Sequence, residues 1–143
     1  MKNFLIILFF FLSGCTSKKI SLLPVWDFEK SNNISPRLFN EKIILAYDKH
    51  MSWVQNPETY IFHLYSFEEL KTFTYKYEVD DTETPSKIDI YLIRDGFLDD
   101  SVRGDFIHLE LIKDTNVWKI LSIKESYSCW QQKELIYQSA PCP

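Results

Sequence analysis

Three histidines, three cysteines and one dense run of charges are the side chains whose types suit chemistry, and their spacing limits what each can do. His50, His63 and His108 stand 13 and 45 residues apart. None has a second His two or four positions away, so neither a zinc-binding helix nor a His-x-His strand pair is encoded. His108 falls on the polar phase of an alternating segment, where a solvated imidazole is expected. There is no Gly-x-Ser-x-Gly elbow, no phosphate loop and no dinucleotide fingerprint. With only Gly14, Gly96 and Gly104 in the chain, no glycine-rich cradle can be built. The sequence names no catalytic residue, no metal ligands and no cofactor.

The densest polar stretch is Asp99-Asp100-Ser101-Val102-Arg103-Gly104-Asp105. Adjacent carboxylates repel, and they settle best against backbone N–H groups or a guanidinium. Arg103 is the available guanidinium, and Ser101 is placed to cap a turn. Two readings stay open. One is a wide hairpin whose side chains satisfy its own backbone. The other is a recognition loop in which Asp99, Asp100, Ser101 and Arg103 meet a polar partner.

Cys129 and Cys142 form an even pair without a C-x-x-C spacing or a nearby His. In an exported chain this reads as a structural disulfide. It closes a loop of about 14 residues, worth about 3 kcal/mol in the chain-entropy account, and pins Trp130 to Pro143 to a sheet edge.

Export itself is written at the start. A basic Met1-Lys2-Asn3 precedes nine unbroken apolar residues, Phe4 to Leu12, and then Ser13-Gly14-Cys15. The apolar run is far below the roughly 20 residues of a membrane span and fits the core of a secretory signal. Leu12-Ser13-Gly14-Cys15 resembles the lipobox of bacterial lipoproteins. The resemblance implies cleavage before Cys15, with acyl chains on its sulfur and its amine. Two or more acyl chains make anchoring effectively stable. Thr16 after the Cys implies the periplasmic face of the outer membrane in a cell that has one. Removing residues 1–14 also removes Lys2 and makes the chain one unit more negative, so lipid alone is the expected membrane contact.

A second resemblance lies further on. Gly96-Phe97-Leu98-Asp99-Asp100-Ser101-Val102-Arg103-Gly104, a Leu-Glu-Leu strand, Trp118, Cys129 and the closing Ser139-Ala140-Pro141-Cys142 look like a group of small bacterial envelope proteins with no assigned activity. It spans residues 96–143. Where that group has a basic, glycine-rich stretch between the two Cys, this chain has Gln131-Gln132-Lys133-Glu134.

The elements that must hold these residues follow from periodicity. Among 143 residues, 45% are hydrophobic and 25% charged, which suits one folded domain. A net charge of −4 and a pI near 5.4 argue against nucleic acid as a partner. Ser35-Pro36 opens a helix whose apolar face is Phe39, Ile43, Ala46, Tyr47 and Met51. Asn56-Pro57-Glu58 opens a short second helix through Tyr60, Ile61, Leu64 and Tyr65. From Lys71 the period becomes two: Phe73/Tyr75/Tyr77/Val79, then Ile88/Ile90/Leu92, then Ile107/Leu109/Leu111, then Val117 to Ile123. The Val117–Ile123 run is apolar on both sides and reads as a covered strand. The expected fold is α+β, an N-terminal helix and a short second helix on a four-stranded antiparallel meander. The expected division is a signal at 1–14, a lipidated Cys and tether at 15–34, and one domain at 35–143.

The resulting expectation is a lipid-anchored, non-catalytic binding or accessory module that contacts another envelope protein. The alternative is a small-ligand or catalytic domain with an apolar pocket between helix and sheet, lined by residues such as Tyr47, Phe73 and Tyr77.

Overall fold

The computed structural model describes residues 30–143. The expected signal segment, Cys15 and most of the expected tether therefore lie outside the described residues. The ordered elements are β1 (Asn32–Ile34), α1 (Arg37–Asp48), two single 3-10 turns, α2 (Tyr60–Leu64), β2 (Thr72–Val79), β3 (Lys87–Asp95), β4 (Val102–Asp114) and β5 (Val117–Cys129).

The expected helix on a four-stranded meander is corrected by this arrangement. The protein is mostly a five-stranded antiparallel sheet, ordered β1-β5-β4-β3-β2, with two short helices. The extra strand, β1, comes before α1 and pairs with the end strand β5 through Asn32 opposite Glu125 and Ile34 opposite Ile123. Its three residues are too few to show a period of two. They form a strand because β5 offers them an edge, which no local signal announces.

Alternation sends Ile88, Ile90 and Leu92 of β3, Ile107, Leu109 and Leu111 of β4, and Trp118, Ile120 and Ile123 of β5 to one face. There they bury Ile43 of α1 and Tyr60 and Ile61 of α2. The apolar phase of β5 slips by one between Ile120 and Ile123. A bulge absorbs the slip: Glu110 faces Ser122 while Leu111 faces Ile120. Leu121 is the extra residue and stands exposed, so the Val117–Ile123 run is not covered on both sides. Asn40 of α1 clamps this irregularity. Its amide donates to the Ile120 carbonyl at 2.9 Å and accepts from the Ile120 N–H at 2.8 Å.

The two edges of the sheet are treated differently. On the β5 side, β1 covers the strand, and Tyr127 and Gln138 exchange main-chain hydrogen bonds at 2.8 and 2.9 Å. Asn32 donates to the Ser139 carbonyl, and the Cys129–Cys142 disulfide, with Cα atoms 5.5 Å apart, fastens the tail. On the other side β2 ends the sheet, with no strand beyond it among the described residues.

Candidate functional site

The Asp99–Arg103 loop joins β3 to β4, and most of its polar groups are engaged inside the domain. Asp99 Oδ1 accepts from the Ser101 N–H at 2.8 Å, the Ser101 hydroxyl at 3.1 Å and the Val102 N–H at 2.6 Å. These bonds hold its carboxyl below the usual carboxylate range. The Trp130 indole donates to the Asp99 carbonyl. Arg103 grips Asp95 at 2.9 and 3.3 Å and lies over the Trp130 ring. Asp100 is exposed.

A second charged group sits at the end of the helix-covered face, and periodicity placed its members without marking them. Arg94 continues the Ile88-Ile90-Leu92 phase, and Asp105 precedes the Ile107-Leu109-Leu111 phase, opposite Arg94 in the register. Arg94 Nε donates to Asp105 Oδ1 at 3.0 Å and Nη2 donates to Oδ2, while Nη1 reaches the Ser66 carbonyl. The Tyr65 and Phe97 rings lie against the guanidinium at 5.3 and 5.2 Å. Asp105 is only 2% exposed. Burial pushes its carboxyl up, and Arg94 pulls it down without offsetting that. The strands must approach closely here, and Gly104 allows it: a Cβ at that position would collide with the Arg94 carbonyl oxygen. Both charges are spent on each other, so the cluster organises the core's end.

The opposite face carries His108. The expected solvated imidazole is 7% exposed instead, because Tyr91 stacks on it with centroids 4.7 Å apart and planes 8° from parallel. His108 Nε2 meets Asp89 Oδ1 at 2.7 Å. Burial lowers its pKa, outweighing the Asp89 and Glu110 carboxylates, while Lys124 lowers it further. The unfolded chain therefore binds this proton first. Stability is complete above the ordinary value of about 6.5 and falls as pH drops through it toward the folded value. Urea midpoints at pH 7, 6 and 5 should decline for the native chain and stay flatter for His108→Gln. Equal slopes would place the acid sensitivity elsewhere.

The apolar pocket expected between helix and sheet does not gather its named residues. Tyr47 borders a shallow cavity of about 320 Å³ with Asp114, Thr115, Asn116 and Val117, whereas Phe73 and Tyr77 lie on β2.

The β2 edge is the most unusual surface. Phe73, Tyr75 and Tyr77 share one face of the strand and are 48%, 39% and 44% exposed; Phe62 of α2 is 40% exposed. Phe62 stands edge-on to Tyr75 at 5.3 Å, and Phe67, between α2 and β2, edge-on to Phe73 at 4.9 Å. The rings pack on each other with their outer sides in solvent. Lys76 and Glu78 pair on the other face. Sequence alternation shows that the rings share a face. It carries no sign of what covers that face, and Phe62 and Phe67 enter only through the fold.

No protein-family model, curated protein or solved structure matches the chain.

Proposed function

We propose that this protein is an exported, lipid-anchored envelope protein that acts as a non-catalytic binding module, with the aromatic edge of β2 as its contact surface. The observation that carries this reading is the array of four exposed rings, Phe73, Tyr75 and Tyr77 on β2 and Phe62 beside them on α2, along a strand whose outer edge pairs with no other strand among the described residues. Monomeric proteins rarely leave such a patch in water, and those that do commonly use it for contact. An open strand edge adds main-chain donors and acceptors, so an incoming strand gains affinity from the backbone and selectivity from the rings.

The lipobox-like start supports the anchoring half of the reading, through Cys15, and the disulfide suits an oxidising compartment. The Asp99–Arg103 loop is the weaker contact candidate, since Asp99, Ser101 and Arg103 already satisfy one another or nearby groups.

A photo-reactive phenylalanine analogue in place of Tyr75, in the full chain in its own cells, tests the contact surface. A discrete adduct is expected there, and background at Leu121, which is exposed on the far side of the sheet. Equal labelling at both positions, or none at Tyr75, would overturn the assignment. Cys15→Ser should move the chain from the membrane to the soluble fraction; unchanged partitioning would overturn lipid anchoring.

A further inference from the structure

Building on β2 as the contact edge, we infer that its occupant is a second copy of this chain: β2 pairs antiparallel with its counterpart about a two-fold axis at Tyr75, merging two five-stranded sheets.

The segment Thr72-Phe73-Thr74-Tyr75-Lys76-Tyr77-Glu78 is self-complementary when reversed about its centre. Tyr75 then faces Tyr75 of the second copy, and Phe73 faces the copy's Tyr77. Thr74 faces Lys76, and Thr72 faces Glu78. Ring meets ring on one face, and no like charges stand directly opposite on the other. Aromatic cross-strand pairs of this kind are favourable. Other registers do worse. An axis at Lys76 sets two ammonium groups against each other. An axis at Tyr77 sends Phe73 opposite Asp81. A slip of one residue puts every ring beside Thr, Lys or Glu.

The backbone agrees with this register. The Asp80 N–H donates to the Lys87 carbonyl at 3.3 Å at the end of the β2–β3 ladder, whose register runs without a break from Thr72 to Val79. Antiparallel alternation from that bond turns the even-numbered residues toward β3. The main-chain groups of Phe73, Tyr75 and Tyr77 are left facing outward, enough for about six hydrogen bonds across the new seam. Phe62 and Phe67 extend the ring surface beside that seam on the helix-bearing face. The opposite edge of the sheet offers only the three residues of β1 and the tail bridge beside β5, too short a template to repeat the β2 pairing, so the assembly stops at two copies and does not propagate into a filament.

The buried surface would be on the order of 1,000 Å², at the low end for specific interfaces. A weak dimer in free solution is the consequence. Anchoring both copies in one membrane would raise their effective concentration and offset that weakness.

The test uses the full chain in its own envelope, carrying Tyr75→Cys, under mild oxidation with a non-reducing gel as readout. A disulfide-linked dimer several-fold above the background of Thr72→Cys and Leu121→Cys is expected, because the inferred register holds the two Thr72 positions six residues out of step. Dimer formed equally by all three variants, or by none, overturns the inference. The photo-adduct at Tyr75 separates this failure from that of the underlying reading. An adduct to a different protein without a Tyr75→Cys dimer overturns the second copy but keeps β2 as the contact edge. Absence of any adduct and any dimer overturns both.

Discussion

Asp105→Ala should cost about 3–5 kcal/mol, the expected penalty for stranding one member of a buried ion pair. Arg94 would keep its guanidinium among Tyr65, Phe97 and the sheet with its bidentate partner gone, retaining the Ser66 carbonyl as acceptor. Water cannot easily replace the lost carboxylate, because the Arg94 side chain is only 13% exposed. For a domain of this size the melting temperature should fall by more than about 10 °C. The pair itself is a weaker source of stability than its loss implies, since desolvating two charges consumes most of the Coulombic gain. Replacing both residues, Arg94→Met with Asp105→Leu, should therefore recover most of the deficit. Urea denaturation of the two variants checks both statements. A near-neutral Asp105→Ala would show that the pair is wetter than its burial indicates.

That pair also shows where periodicity informs and where it stops. Arg94 and Asp105 each occupy the next position in an apolar phase of two, on neighbouring strands. Charges in that phase are a signal of a buried pair that the sequence does contain. Grouping Asp105 with the adjacent loop charges hides it, because proximity along the chain is a poor guide to partners across a ladder. The helix at Ser35-Pro36 and the change of period at Lys71 are local features that local chemistry announces, and the tight turn of Thr115 and Asn116 between β4 and β5 is of the same local kind. The structure starts α1 at Arg37, with Pro36 just before it, and Thr115 takes a left-handed φ of 55° in the turn. The misreadings share one cause, since each depended on what lies over a surface. β1 exists because β5 has an edge to offer. His108 is buried because Tyr91 lies on it. Phe73, Tyr75 and Tyr77 are exposed because the short α2 covers only part of their face. Alternation assigns side chains to faces, but the covering layer comes from distant segments, and a sheet edge has no sequence mark at all.

The same separation of edges governs the last expected result. Cys129→Ser together with Cys142→Ser should lower stability by about 3 kcal/mol, since a link closing about 14 residues no longer restricts the unfolded chain. The urea midpoint should fall while the denaturant slope rises slightly, because the unlinked unfolded chain expands. The native state should loosen locally as well. Tyr137, buried and 5.6 Å from Phe106 between ring centroids, holds the tail against that ring. The Tyr127–Gln138 exchange of hydrogen bonds extends the covered edge of β5. Once freed, this segment should show faster amide exchange at Tyr127 and Gln138, ahead of β3 and the body of β4. Tyr137→Phe separates the contributions. The Tyr137 hydroxyl has no hydrogen-bond partner among the described residues, so removing it should be neutral or slightly stabilising. A disulfide-free variant with unchanged midpoint and exchange would mean that packing alone holds the tail. A fall in the midpoint with exchange unchanged would place the whole effect in the unfolded chain. A fall in the midpoint together with faster exchange would bare the Tyr127 end of β5, beyond the reach of β1, and give the two-copy assembly inferred through β2 a further edge from which to grow.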